Sequence, residues 1–204
     1  QPMDRKEAII FSARKQFTRF GYTKTTMNEI ARECGITKPT LYQHYAGKAD
    51  LFAAVIDHEQ TAFFAMIDQA TVRTVTASEK LRIYAQMQVE AVKKFLLLGE
   101  LSRHALLDLH PEALKVMAIC RQREEGRLAA WIEEGVASGE FASTDAQFAA
   151  RIFFLAVISL RFQILVLDNV TVDTITADEV PVARLASDLE RLVDLFLNGF
   201  LARS

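Results

Sequence analysis

The sequence predicts an all-α protein, on three observations. Glycine (8) and proline (4) are scarce among the 204 residues, which disfavours turn-rich all-β and collagen-like chains. Apolar residues recur at three- and four-residue spacing along most of the chain, the period of one helix face. Several segment starts carry caps, among them Thr26-x-x-Glu29 and Thr144-x-x-Gln147, where a hydroxyl accepts from the third amide and the Glu or Gln reaches back. No strand pattern and no internal repeat is visible.

The first helix covers residues 4–20, with Ile10, Ala13, Phe17 and Phe20 sharing a face, and Gly21 stops it. The capping box at Thr26 opens a short helix through Cys34 that turns Met27, Ile30 and Ala31 inward. Gly35 permits a left-handed turn. Thr37 caps a third helix through Tyr45, with Pro39 in its first turn, where a missing amide costs nothing. A long helix starts at Lys48 and fades at Ala70, with Leu51, Val55, Phe63, Met66 and Ile67 on its buried face. Residues 71–76 read as a loop. Ser78 caps a helix to Leu98, and Gly99 separates it from a shorter helix, Glu100–Leu109. Pro111 opens a long helix to Ala137. The box at Thr144 opens the most apolar helix, which runs to Leu167. Residues 168–182 read as a long loop of the kind that is mobile or functional. The last helix, Ala183–Ala202, aligns Leu185, Leu189, Leu192, Val193 and Phe196. The total is about nine helices.

The net charge of −2 and pI of 6.1 give no sign of a nucleic-acid partner for the chain as a whole. The average hides an asymmetry. Residues 1–50 hold nine Lys/Arg against five Asp/Glu, net +4; the remainder holds fifteen against twenty-one, net −6. A basic head on an acidic body hints at nucleic-acid contact by the head, and is equally consistent with a chance distribution of surface charge. Two cysteines, Cys34 and Cys120, cannot build a disulfide framework; a reducing, cytoplasmic setting is expected. Cys120 stands beside Arg121 and Arg123, which would lower a thiol pKa if they faced it; inert packing is the plainer reading of both cysteines. The start, Gln1-Pro2-Met3-Asp4, lacks the basic and apolar regions of a signal peptide. The most apolar run, 152–167, is short for a membrane span and contains Arg161 and Gln163, so no membrane partner is expected. His44, His58, His104 and His110 show no metal-ligand spacing. There is no glycine-rich phosphate loop, serine elbow or paired-carboxylate signature. No metal, cofactor or enzymatic activity is expected.

The two short helices with the glycine turn between them fit a helix-turn-helix over residues 26–45. Ile30, Ala31, Ile36 and Leu41 would form its small core on a floor supplied by Phe17. The second helix would then offer Thr37, Lys38, Thr40, Tyr42, Gln43 and His44, all hydrogen-bonding types, to a major groove. Lys48, at the next helix start, would add a cation and free amides for a phosphate. Thr26 would serve as cap and phosphate donor together.

The stretch from Phe17 to Phe52, FTRFGYTKTTMNEIARECGITKPTLYQHYAGKADLF, resembles the tetracycline-repressor (TetR) family of bacterial transcriptional regulators. The matching features follow in order: Phe17-x3-Gly21-Tyr22, Thr25-Thr26, Ile30-Ala31, Cys34-Gly35-Ile36, Thr40-Leu41-Tyr42, His44-Tyr45, then Lys48 and Leu51-Phe52. Pro39 departs from the pattern, standing where a small residue, often glycine, is usual, and Tyr45 stands where phenylalanine is usual. The resemblance implies a DNA-binding domain over residues 1–47 and an effector-binding and dimerisation domain over 48–204. It implies a homodimer, joined through 144–167 and 183–202, on a near-palindromic double-stranded DNA operator. The DNA contacts would come from Thr26, Thr37, Lys38, Pro39, Thr40, Tyr42, Gln43, His44 and Lys48.

A small apolar or amphipathic effector would release the operator. Its pocket would take Phe63, Met66, Met87, Phe95, Trp131 and Phe153 as apolar lining and Arg103 and His104 as polar partners, although most of these residues would serve equally as plain core. The expected function is a ligand-responsive transcriptional repressor. Two other classes remain open: a helical sensor or enzyme with a degenerate helix-turn-helix, and an architectural DNA binder without a ligand.

Overall fold

The computed structural model describes residues 4–73, 76–97, 110–142, 144–163 and 180–200. Eight helices occupy them: α1 (Arg5–Lys24), α2 (Met27–Glu33), α3 (Lys38–His44), α4 (Lys48–Thr71), α5 (Ala77–Leu97), α6 (Pro111–Ala137), α7 (Ala146–Phe162) and α8 (Val180–Phe200). The fold is all-α, as the spacing predicts. The expected helix Glu100–Leu109, with Arg103 and His104, lies outside the described residues, as do 164–167 and most of the expected loop at 168–182.

The described residues pack into two compact units. The first holds 4–63 and 110–120; the second holds the rest.

In the first unit α1 breaks where glycine was expected to stop it. Gly21 sits at φ 78° and ψ 170°, and a further turn runs on to Lys24. That φ is strained for any residue with a Cβ. The break carries Tyr22 and Thr25 into the interior. The single Thr25 hydroxyl proton is shared between the carbonyls of Gly21 (2.7 Å) and Gln16 (3.1 Å), which ties the last turn of α1 to the turn before the break. The core joins Ile9, Ala13 and Phe17 of α1 to Met27, Ile30 and Ala31 of α2, Leu41 of α3, and Leu51, Phe52 and Val55 of α4. The rings of Phe17, Tyr22 and Phe52 meet one another at centroid distances of 5.0–6.0 Å. Each buried side chain of this size contributes about 1.5–3 kcal/mol.

In the second unit α8 packs on α5 and α7. Leu185, Leu189, Val193 and Leu197, four residues apart, form its buried stripe. The Phe153 ring of α7 lies between Phe196 (4.8 Å) and Tyr84 (6.2 Å).

Two helix starts differ from expectation. Ser78 does not cap α5. Thr76 does, accepting from the Glu79 amide at 3.2 Å, while Glu140 accepts from the amides of Ala77 (2.8 Å) and Ser78 (2.9 Å). The acid comes from the turn after α6, so nothing local to Ser78 reports it. Likewise Asp145, not Thr144, caps α7, accepting from the Phe148 amide at 3.0 Å. The carboxylate is the stronger acceptor and its register leaves Gln147 outside the box. α8 begins at Val180, three residues before the expected start, with Pro181 in its first turn, where proline is tolerated.

Candidate nucleic-acid interface

Local chemistry shapes the segment from Thr26 to Lys48. Thr26 and Glu29 cap each other: the Glu29 amide donates to Thr26 Oγ1 (3.3 Å), and the Thr26 amide donates to Glu29 Oε2 (2.9 Å). The Thr26 hydroxyl also donates to Glu29 (2.7 Å), and these bonds hold the Glu29 carboxyl below its ordinary value. α2 ends in a Schellman turn, with the Ile36 amide on the Ala31 carbonyl (3.0 Å) and the Gly35 amide on Arg32 (3.1 Å). Gly35 supplies the required φ of 65°. Thr37 then caps α3, accepting from the Thr40 amide at 3.3 Å, with Pro39 in the first turn.

Leu41 is fully buried and Tyr45 nearly so, which pins one side of α3 to the core. The other side carries Lys38, Pro39, Tyr42 and Gln43, all exposed, with Thr37 at its head. Lys38 Nζ stands 5.8 Å from the Tyr42 ring, and Tyr42 is 44% exposed. Thr26 is exposed at the start of α2. Thr40 and His44 are half-buried on the flanks of α3. The expected row of hydrogen-bonding side chains is therefore presented together, with Thr40 and His44 set back from it.

Lys48 is arranged differently from a side chain reaching outward for a phosphate. Its ammonium turns back onto α1, donating to the carbonyls of Tyr22 (2.8 Å) and Thr25 (3.1 Å), and lies 4.4 Å from the Tyr22 ring centroid. It caps the broken end of α1, whose last carbonyls carry the negative end of the helix dipole. The sequence does not anticipate this junction. Tyr22 also donates its hydroxyl to Glu112 and lies 4.8 Å from the His110 ring. Its only local signal is an aromatic directly after the helix-stopping Gly21.

Cys34 is half-buried, and desolvation pushes its thiol pKa up, as suits a packing residue.

The described residues among those expected to line an effector pocket differ in burial. Phe153 and Trp131 are buried, Met87 and Phe63 half-buried, and Met66 exposed. The Phe95 side chain, Arg103 and His104 are outside the described residues. Trp131 stacks on Arg127, whose guanidinium also lies 4.9 Å from the Phe64 ring. A groove of about 240 Å³ runs between α5 and α8, lined by Ala85, Val89, Leu189 and Val193 together with Arg82, Glu90, Lys93 and Glu190. Among the described residues no group of three or more His, Cys, Asp or Glu is placed to hold a metal ion, and no helix is long and apolar enough to cross a membrane.

The fold and this segment define a helix-turn-helix protein: a short helix pinned on one side to its core, with one polar face outward. Residues 9–55 match the family model for bacterial regulatory proteins of the tetR family, and residues 74–161 match that for the tetracyclin repressor-like C-terminal domain. The chain belongs to the TetR family. It is 32% identical over 79 residues to the transcriptional activator FasR of Mycolicibacterium smegmatis, a match covering 39% of this chain and 36% of FasR. It is 24% identical over 156 residues to the regulator QacR of Staphylococcus aureus, covering 74% and 80%. Among solved structures, a transcriptional regulator from Cytophaga hutchinsonii superposes with a TM-score of 0.70 at 27% identity, over 95% of this chain and 97% of that one.

Proposed function

We propose that this protein is a cytoplasmic, ligand-responsive transcriptional repressor that binds a near-palindromic DNA operator as a homodimer. The exposed row on α3, fixed from behind by buried Leu41, carries the reading. In this reading residues 1–47 contact DNA and 48–204 hold the effector and join the two subunits. Lys38, Tyr42 and Gln43, with Thr37, Pro39 and Thr40, face the major groove. Thr26 and His44 meet the flanking phosphates. Lys48 serves through its backbone amide at the first position of α4, its ammonium being engaged on α1. Two such helices about 34–36 Å apart enter successive major grooves.

The second copy docks on α7, where Phe148, Ile152, Leu155 and Phe162 form an exposed apolar line. An effector that binds the released state more tightly than the DNA-bound state shifts the population between them. The C-terminal family match supports an effector domain, and with it a regulator rather than an architectural binder or an enzyme.

A mobility-shift assay on the DNA flanking the protein's own gene tests this. Retardation at low salt, lost on Lys38→Ala with Tyr42→Ala, is the expected result. No retardation at low salt overturns it.

A further inference from the structure

The core of the second unit contains a chain of hydrogen bonds that neither the fold nor DNA binding requires. Arg161, in the last turn of α7, donates from Nη1 to Gln88 Oε1 at 2.5 Å. Gln88 donates in turn to the Tyr84 hydroxyl, and Tyr84 donates to Glu124 Oε2 on α6 at 2.7 Å. Tyr84 and Gln88 are buried. A cation and an anion on two helices are thus joined through two neutral side chains on a third.

Among the described residues Arg161 forms no ion pair, and its buried Nε–H has no acceptor. The desolvation of the guanidinium outweighs the attraction of Glu124 and pulls its pKa down. The Tyr84 hydroxyl cannot supply the missing charge, because burial and Glu124 hold it protonated. A buried arginine lacking an acceptor on one edge is matched by a carboxylate, whose two oxygens meet the guanidinium fork. One turn along each helix stand Val92, Leu128 and Val157, all fully buried. The surroundings of the hydrogen-bond chain are therefore apolar.

We propose that Arg161, with Gln88 and Tyr84, forms the polar end of a site for an organic acid with an apolar body, the carboxylate accepting from the unpartnered Nε–H of Arg161. The acid acts as effector only if the regulatory reading above holds; the binding site itself does not depend on it. Occupancy would draw α5, α6 and α7 together through one hydrogen-bond chain.

The test uses octanoate and benzoate, each against its neutral partner, octanol and benzyl alcohol. Thermal stability and the fluorescence of Trp131, the one tryptophan in the sequence, report binding. The expected result is a saturable response to at least one acid and none to its neutral partner. Arg161→Met should weaken the acid by about tenfold or more. Arg161→Lys, which keeps the charge but not the fork, should fall between, and it decides the matter if the methionine variant does not fold. An equal response to the neutral partner, undiminished binding by the folded variants, or no saturation by either acid overturns the proposal. Operator binding is assayed in parallel. Acid binding without operator binding leaves this site standing and removes the regulator; operator binding without an acid response does the reverse.

Discussion

Lys48 occupies the first position of α4, yet its side chain stabilises α1. Its ammonium reaches carbonyls of Tyr22 and Thr25, which lack helical partners because α1 ends at Lys24. A charge-assisted hydrogen bond to such a group is worth about 1.5–3 kcal/mol, and less where water competes. Lys48→Met should therefore lower the stability of the protein by about 1–2 kcal/mol, measured by urea denaturation. It should leave the salt dependence of operator binding unchanged. Lys38→Ala should do the reverse: unchanged stability and, with one Lys38 lost from each subunit of the dimer, a slope of log affinity against log salt shallower by up to about 1.8. A shallower slope for Lys48→Met would mean that the ammonium leaves α1 for a phosphate on binding. The sequence identifies the cation and its helix position. It cannot identify the acceptors, because they appear only once α1 ends and α4 packs beside it.

The helix starts show where local reading succeeds and where it stops. Inside the helix-turn-helix every cap is built from residues within five positions of one another: Thr26 with Glu29, Thr37 with Thr40, Gly35 with the end of α2. Such patterns are written in the chain, which is why this segment and its outward row were legible. The start of α5 was not, because half of its cap comes from Glu140, 62 and 63 residues away. Burial alone would raise the Glu140 pKa, but the hydrogen bonds from Ser78 and Ala77 outweigh it and hold the carboxyl below its ordinary value. A depressed acid stabilises the fold above its unfolded value, and the contribution disappears as pH falls through the folded value. Glu140→Gln should thus cost about 1 kcal/mol near neutrality. Its melting curve should converge on the wild-type curve as pH drops from about 7 to about 3. A constant gap across that range would assign the loss to shape rather than charge.

Gly135 of α6 belongs to the same junction, and a Cβ there would overlap the buried Phe141 ring and approach Ala77 Cβ to 2.9 Å. Gly135→Ala should destabilise by about 1–3 kcal/mol despite alanine's better helix propensity. Thermal denaturation would check this; a stabilised variant would mean that Phe141 can swing aside.

At the scale of the whole molecule, α7 has two apolar sides where a helix of one isolated subunit needs one. Ala149, Ala150, Phe153, Phe154 and Val157 fill the core. Phe148, Ile152, Leu155 and Phe162, spaced by four, three and seven residues, remain 41–53% exposed along one line. An apolar stripe of that regularity marks a protein interface. The strong stripe of α8 is spent on α5 and α7, and its outer side carries Arg184, Asp188, Arg191 and Asp194, with Leu195 the apolar exception. Periodicity alone could not separate these cases, since it shows that a face is apolar and not which neighbour covers it. If α7 carries the dimer, Ile152→Glu with Leu155→Glu should yield a monomer by sedimentation equilibrium. The monomer should keep its helical content, since both residues lie off the core. Its operator affinity should drop by a factor of about 100 or more, because two half-sites are no longer held at one spacing. A double variant that stays dimeric would move the interface to α8. A monomer that binds the operator undiminished would separate dimerisation from DNA recognition altogether.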